Sequence, residues 1–421
     1  VLRGYAELLR VRHVGRLLAG TLIGRLPNAT AAFAIVLFVR AEGGSYTLGG
    51  ILSGGYGLAT AVGQPLLGRA VDLRGQPRVL LPSALLSAAG MAVFALVGID
   101  PLPLACAGVL AAGLFTPPLE GALRALWPSV LGRADRVHGA YALDAVAQEV
   151  MFALAPLVVT LLVATASEAA ALLVLGALGV LGAVWVVLSP PARRWRSEPR
   201  EAHWLGALRA PGLLVILGAF FFVGVALGGT AVASVAYADA RGGAAQGDGG
   251  AGGYLLSALG AGALVGGVFY GARQWPGRAE RRLQLLLTGL AVGYLPLMLT
   301  PGTLSMTLLS GVAGLFLAPA LACSFVVVDR HAPRGTATEA FSWLVTTFGF
   351  GAAAGTAICG PAVEHGGETG GFAVVGLGGA AALLVLTGFV RVLASTGRPA
   401  RPLEKDRIDG AAPGFETERQ A

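Results

Sequence analysis

Charge is the scarcest commodity in this chain. Only 13% of its 421 residues are Asp, Glu, Lys or Arg, about half the share in a soluble domain. Basic patches interleaved with aromatics are absent, so nucleic acid is not an expected partner. The three cysteines, Cys106, Cys323 and Cys359, lack metal-ligand spacing and read as small apolar packing residues. The five histidines, His13, His138, His203, His331 and His365, fall at helix ends or in loops, a poor setting for a metal site. There is no GxxxxGK[ST] loop, no HExxH and no GxSxG, which removes the usual signatures of an ATP-driven pump and of two hydrolase classes. No enzyme activity and no cofactor is expected. Lysine is nearly missing too: Lys405 stands against 29 arginines, a bias that points to a GC-rich bacterial genome.

What fills the space is apolar: 55% of residues, with a mean hydropathy of +0.73. About 20 apolar residues cross the hydrocarbon core as a helix, and twelve such runs follow one another, at about 14–39, 49–70, 79–98, 102–124, 138–164, 169–188, 212–236, 252–272, 283–300, 303–327, 336–360 and 371–393. The fold class expected is an all-α membrane protein with twelve transmembrane helices. A barrel would need alternating segments of about ten residues instead. The first run is too long for the h-region of a signal peptide and is expected to stay. The 64 glycines would weaken soluble helices, but in lipid they allow close helix contacts.

Orientation follows from the basic residues, which collect on the cytoplasmic side. With the N-terminus inside, 27 of the 30 fall in cytoplasmic segments, Arg40 and Arg241 lie outside, and Arg25 lies within a span. The net charge of +7 is therefore a topology signal. Both termini are expected in the cytoplasm.

Short motifs repeat about 200 residues apart. "GQPLLGR" before Arg69 returns as "GGVFYGAR" with Gly68 matching Gly271; "AGLFTPP" from Ala112 returns as "AGLFLAP" from Ala313; Gly139, opening the fifth run, matches Gly335, opening the eleventh. Such recurrence implies a duplicated six-span unit. The expected organisation is an N-terminal half, 1–188, a Pro- and Arg-rich cytoplasmic linker, 189–211, a C-terminal half, 212–393, and a disordered cytoplasmic tail, 394–421. The two parallel halves form a pseudo-symmetric pair.

Between the second and third runs stands "GRAVDLRGQPR", Gly68 to Arg78. With the doubled six-span plan, it resembles the GxxxDRxGRR loop of the major facilitator superfamily; Gly68, Asp72, Gly75 and Arg78 fit, while Leu73 replaces the usual arginine. The resemblance implies a secondary transporter whose substrate site lies near the midplane between the halves, and a cytoplasmic gate made by Gly68, Asp72, Arg74, Gly75 and Arg78. Arg124 or Arg133 and the start of the eleventh span are the expected partners of that gate. Glu120 and Arg124, spaced i, i+4, are expected to join it. Within the superfamily the chain is drug/proton-antiporter-like, with Ala155-Pro156 where that group usually carries Gly-Pro, and without its mid-helix arginine in span four.

Arg25 lies eleven residues past Val14, roughly 16 Å deep at 1.5 Å per residue. A charge there costs about 2.5–3.5 kcal/mol or more and needs water or a counter-charge. Counting ten residues from Gly139 puts Glu149 at the same depth, so an Arg25–Glu149 pair is expected, with Glu149 as the proton-coupling group and Asp144 as second candidate. Structural pairing alone, or contact with the Gln148 and Gln64 amides, remains open for Glu149, and a water-exposed gate position for Asp144. Glu339 reads as a helix N-terminal cap. Asn28, Phe33, Gln64, Phe115, Gln148, Phe221, Phe341 and Trp343 are the candidate lining of a substrate cavity.

The expectation is a monomeric, multi-pass protein of the bacterial inner membrane, surrounded by lipid bilayer. It moves a small-molecule substrate by alternating access, coupled to protons, in the direction of efflux. A nutrient importer of the same fold, or a transport-inactive membrane sensor or assembly protein, are the alternatives.

Overall fold

In the computed structural model, which describes residues 2–199, 205–240, 251–273, 275 and 277–396, the apolar runs are helices. Helix α1 (Leu2–Arg10) precedes α2 (Val14–Ala41), α3 (Tyr46–Arg74) and α4 (Gln76–Val97). The fourth run is divided between α5 (Leu102–Leu114) and α6 (Leu119–Leu131), and α7 (Ala134–Thr165) and α8 (Glu168–Val187) follow. A linker with the short α9 (Pro190–Arg194) and a 3-10 turn at Gly206–Arg209 leads to α10 (Pro211–Ala240), α11 (Ala251–Gly271), α12 (Ala279–Tyr294) and α13 (Thr303–His331). The chain continues through α14 (Ala337–Gly388) and α15 (Val390–Thr396). Most of the tail, beyond residue 396, lies outside the described residues.

Among the described residues nine helical segments are long and apolar enough to cross a bilayer, with α5 and α6 taken as one and α14 as one. Helices α3 and α7 stand outside that set. The 52 residues of α14 hold the eleventh and twelfth runs, and Gly367, at φ 60° and ψ −156°, breaks the helix between them. That backbone is one L-residues with a Cβ rarely adopt.

Two boundaries differ from the sequence expectation. The fifth helix begins at Ala134, not near Gly139, because the polar stretch after Arg133 is already helical. Gly139 therefore sits inside α7, whereas Gly335 precedes α14 at φ 71°, and the third repeat match does not mark equivalent places. The fourth run is broken at Phe115 to Pro118, where Pro117 and Pro118 have no N–H for a helical ladder. Side chains satisfy the carbonyls freed at this break: Thr116 Oγ1 (2.9 Å) and Ser87 Oγ (2.7 Å) donate to the Ala112 carbonyl, and Gln64 Nε2 donates to that of Thr116 at 3.1 Å.

Close glycine contacts hold the bundle together. A methyl group on Gly182 of α8 would collide with the backbone of Gly24 on α2. On α10 and α14, Gly224, Gly228, Gly351 and Gly355 recur at i, i+4 spacing, and a Cβ on any of them would strike the facing backbone. Small residues at that interval let two helix axes approach closely in lipid, where dispersion rather than water exclusion drives association.

Helices α2 to α8 and α10 to α14 pack largely among themselves, and the contacts between the groups come from α3 and α6 against α14 and from α7 against α11 and α13. These contacts lie toward one end of the bundle, the end that carries most of the arginines. There Gly68 of α3 and Gly121 of α6 abut Thr338 and Ser342 of α14, and Val146 of α7 faces Gly267 of α11. Thr346 Oγ1 donates to the Ala61 carbonyl at 3.2 Å. A continuous apolar core runs through both groups. Toward the opposite end a second core, with Ile35, Phe38, Tyr56, Phe94, Val109 and Leu172, is built by the first group alone. The groups are thus joined at the basic end and keep separate cores beyond it.

Gly228→Leu is expected to lower the thermal midpoint in detergent, because overpacking costs roughly 1–3 kcal/mol. Gly260→Leu, at a helical glycine with open space around its Cβ position, is expected to leave the midpoint unchanged. Equal melting of the two variants would refute the close-contact role.

Candidate functional site

Four charged side chains meet inside the first group of helices. Arg25 comes from α2, Glu120 and Arg124 from α6, and Asp144 from α7. Arg25 Nη1 donates to Asp144 Oδ1 at 3.0 Å and its Nη2 to Glu120 Oε1. Arg124 Nε donates to Asp144 Oδ2 at 2.8 Å and its Nη2 to Glu120 Oε1 at 2.9 Å. Each carboxylate is therefore shared by both guanidinium groups. Two positive and two negative charges cancel, which is what allows Arg124 to be 1% exposed and Asp144 0%. Gln148, one turn beyond Asp144, accepts from Arg124 Nη2 at 3.3 Å.

Local structure fixes these positions. The break at Phe115 to Pro118 starts α6 afresh, so Glu120 lies in its first turn, where the helix dipole favours a negative charge. Arg124 follows at i+4 and reaches back to it. Asp144 stands ten residues into α7, as Arg25 stands eleven into α2, and the two meet at one depth.

Among the described residues the carboxylates that Arg25 meets are Asp144 and Glu120, where the sequence points to Glu149. The reason is the earlier start of α7, which moves the level of Arg25 back from position 149 to position 144. The Glu149 side chain lies outside the described residues. Asp144 is not a water-exposed gate residue, since both of its oxygens are spent on arginines. The two carboxylates differ. Glu120 places both arginine contacts on Oε1, keeps Oε2 out of every hydrogen bond among the described residues, and retains 10% side-chain exposure.

The gate motif is only partly assembled around the expected partners. Asp72 accepts hydrogen bonds from the backbone N–H groups of Thr338 (3.1 Å) and Glu339 (2.8 Å), at the start of α14. Thr336, the residue before that helix, supplies no cap of its own because its hydroxyl donates to the Pro333 carbonyl. Asp72 is thus an N-cap delivered from the other group of helices. Gly68 permits the contact, and Gly75, at φ 85°, turns α3 into α4. Arg74 and Arg78 stay exposed. Arg124 and Glu120 belong to the buried cluster and not to this latch. Glu339, expected as a cap, directs its carboxylate toward Gly206 of the linker.

The candidate lining residues scatter. Asn28 and Phe33 are exposed, and Trp343 and Phe221 half-buried, the latter edge-on to Phe222 at 5.3 Å. Phe115 borders an apolar hollow of about 430 Å³ with Leu58, Val62, Leu110 and Leu114. Gln64 is buried against the Thr116 carbonyl, and Gln148 is held by Arg124. Phe341 is corrected outright: it is fully buried, tilted against Tyr141 and edge-on to Phe325. Phe325, whose ring centroid lies 3.6 Å from the Arg124 guanidinium carbon, had no signal in the sequence.

A buried charge cluster in one six-helix group, a trans-capped helix at the basic end and a doubled plan are a combination that comparison can test. The family model of the Major Facilitator Superfamily matches residues 17–356. The chain belongs to that superfamily. It is a multi-pass membrane protein and a secondary transporter, not an enzyme. A bacterial homologue of the iron transporter ferroportin, solved in an outward-facing state, is similar over 91% of this chain and 100% of its own, with a TM-score of 0.71 and 14% identity. The E. coli fucose:proton symporter is similar over 89% and 98%, at 0.69 and 15%. The human organic anion transporter MFSD10 follows over 90% and 99%, at 0.64 and 16%. At these identities the likeness is one of fold. A comparison with curated protein sequences returned no match.

Removing one member of a buried ionic group strands its partners, at roughly 3–5 kcal/mol. Arg25→Gln and Asp144→Asn are each expected to destabilise the transporter strongly in detergent, and the double variant by clearly less than the two losses combined. Thermal unfolding measures all three; additive losses would contradict the shared network.

Proposed function

We propose that this chain is a proton-linked exporter of a small amphipathic organic solute, working by alternating access in a bacterial inner membrane with the basic end cytoplasmic. Its two six-helix halves, residues 1–188 and 212–393, rock about the contacts at that end. The antiporter-like subtype belongs to this reading. The observation that carries it is the unequal use of the two buried carboxylates. Asp144 is fully committed to Arg25 and Arg124, whereas Glu120 Oε2 takes no hydrogen bond among the described residues and the Glu120 side chain keeps 10% exposure.

Protonation at Oε2 removes one negative charge from a balanced cluster. Two guanidinium groups then share one carboxylate, and the buried site carries a net positive charge. Burial of an uncompensated charge is unfavourable, and hydration relieves it. Opening the basic end admits water to the cluster, so a proton loaded from the opposite side favours opening toward the cytoplasm. Proton release there restores the neutral cluster and the closed end. The ligand-binding part of the cycle is population shift between these two states.

Solute chemistry follows from the surfaces available. The hollow beside Phe115 is apolar, lined by Leu58, Val62, Leu110 and Leu114. A sugar needs many polar partners, whereas an amphipathic solute uses apolar contact with a few hydrogen bonds. Such solutes cross bilayers unaided, which makes export the useful direction.

The test is flux in proteoliposomes with a panel of fluorescent amphipathic dyes under an imposed proton gradient. Wild type is expected to move at least one dye uphill against the proton flow. Glu120→Gln is expected to lose gradient-driven accumulation while keeping downhill exchange. Uphill transport that survives Glu120→Gln would overturn the coupling role, and dye movement along with the protons would overturn export.

A further inference from the structure

The charge cluster belongs to the first half, yet one of its four members touches the second. Phe325 on α13 lays its ring against Arg124, 3.6 Å from the guanidinium carbon to the ring centroid. Arg124 Nη1 is buried and has no hydrogen-bond acceptor among the described residues. The other two nitrogens of the group are spent on Asp144, Glu120 and Gln148. The aromatic face is therefore what lies against a guanidinium whose third nitrogen goes without an oxygen. Phe325 is itself held edge-on by Tyr141 at 6.0 Å and by Phe341 at 6.4 Å. Tyr141 is one turn before Asp144 on α7, and its hydroxyl points to the Arg124 carbonyl at 3.5 Å. This aromatic group bridges α7, α13 and α14 at the closed end.

We infer that Phe325 is the positioning residue that ties closure of the basic end to the charge state of the cluster. It acts through Arg124. With the end closed, its ring stabilises the Arg124 cation and keeps water from the cluster; when the halves part, the ring leaves and Nη1 meets water. The inference rests on the coupling reading above, but its structural part, that the ring favours the closed state, stands independently of it.

Among the described residues the other charged groups around this corner are few. From α13 the charge of Asp329 acts on Tyr141. From α14 Glu339 faces the linker at Gly206, and from α3 Asp72 caps α14. The α11 side presents Gly267 to Val146. Arg25, Glu120, Arg124 and Asp144 supply the rest.

The sign of the pH effect follows. In the coupling reading, protonation of Glu120 favours opening. Loss of the ring weakens the closed state, so opening begins at higher pH.

The experiment uses the full chain in lipid nanodiscs, with Cys106, Cys323 and Cys359 replaced by alanine and nitroxide labels on cysteines at the exposed positions 136 and 281, one on each half. Pulsed electron paramagnetic resonance gives the closed-to-open ratio across pH for wild type, Phe325→Leu, Phe325→Tyr and Glu120→Gln. In Phe325→Leu the ratio is expected to fall roughly 2- to 30-fold, the range a cation–π contact spans, with the opening midpoint moved to higher pH. Phe325→Tyr, which keeps the ring, is expected to follow wild type, and Glu120→Gln to lose the pH response. Distances in Phe325→Leu that match wild type at every pH would overturn the inference, as would equal shifts in the Leu and Tyr variants. If wild type ignores pH while Phe325→Leu still opens more than Phe325→Tyr, the coupling reading fails and the ring's hold on the closed state survives.

Discussion

Two arginines and two carboxylates, taken out of water together, are the constraint around which this transporter is organised. No one of the four is tolerable alone at that depth. Arg25 needs Asp144 and Glu120, and both carboxylates need Arg124 to balance the second charge. Several otherwise puzzling features of the first half serve this arrangement. The break at Phe115 to Pro118 puts Glu120 in a helix first turn. The early start of α7 brings Asp144 level with Arg25. The glycine contact of Gly24 with Gly182 brings α2 and α8 close together where α2 carries Arg25.

The second half answers this charge without charge. Positions shifted by about 200 from Arg25 and Glu149 are Val225 and, near the start of α14, Val345 or Thr346. What the second half presents instead is aromatic and dipolar: Phe325 against the cluster with Phe341 packed on it, and the amide end of α14 against Asp72. Closure at the basic end is therefore made of interactions that separate cleanly when the halves move apart. None of them requires transferring a bare ion from one half to the other.

Much of this was legible in the sequence, and the misses have physical causes. Run length and the lack of charge point to an all-helical, multi-span membrane protein, and the spacing of Gly68, Asp72 and Gly75 points to the gate and to the start of the eleventh span as its partner. Arg25 announced itself as a charge in need of a counter-charge. Counting depth from Gly139, the first apolar stretch, points to Glu149, whereas the helix starts five residues earlier at Ala134 and sets Asp144 level with Arg25. Hydropathy locates the part of a helix in lipid and is blind to the polar turn before it. Composition says nothing of which face a span turns inward, so Phe341 reads as lining, and Phe325 carries no mark that separates it from any other phenylalanine in lipid. The i, i+4 spacing of Glu120 and Arg124 marks a pair but leaves undecided whether they face the loop or the interior.

The central claim is that Glu120, not Asp144, takes up the proton. Infrared difference spectroscopy of the transporter in lipid, stepping from neutral to acid pH, reads the carbonyl stretch of a newly protonated carboxyl group directly. The account expects a band that disappears in Glu120→Gln and persists in Asp144→Asn. A band that survives Glu120→Gln and vanishes in Asp144→Asn would contradict it.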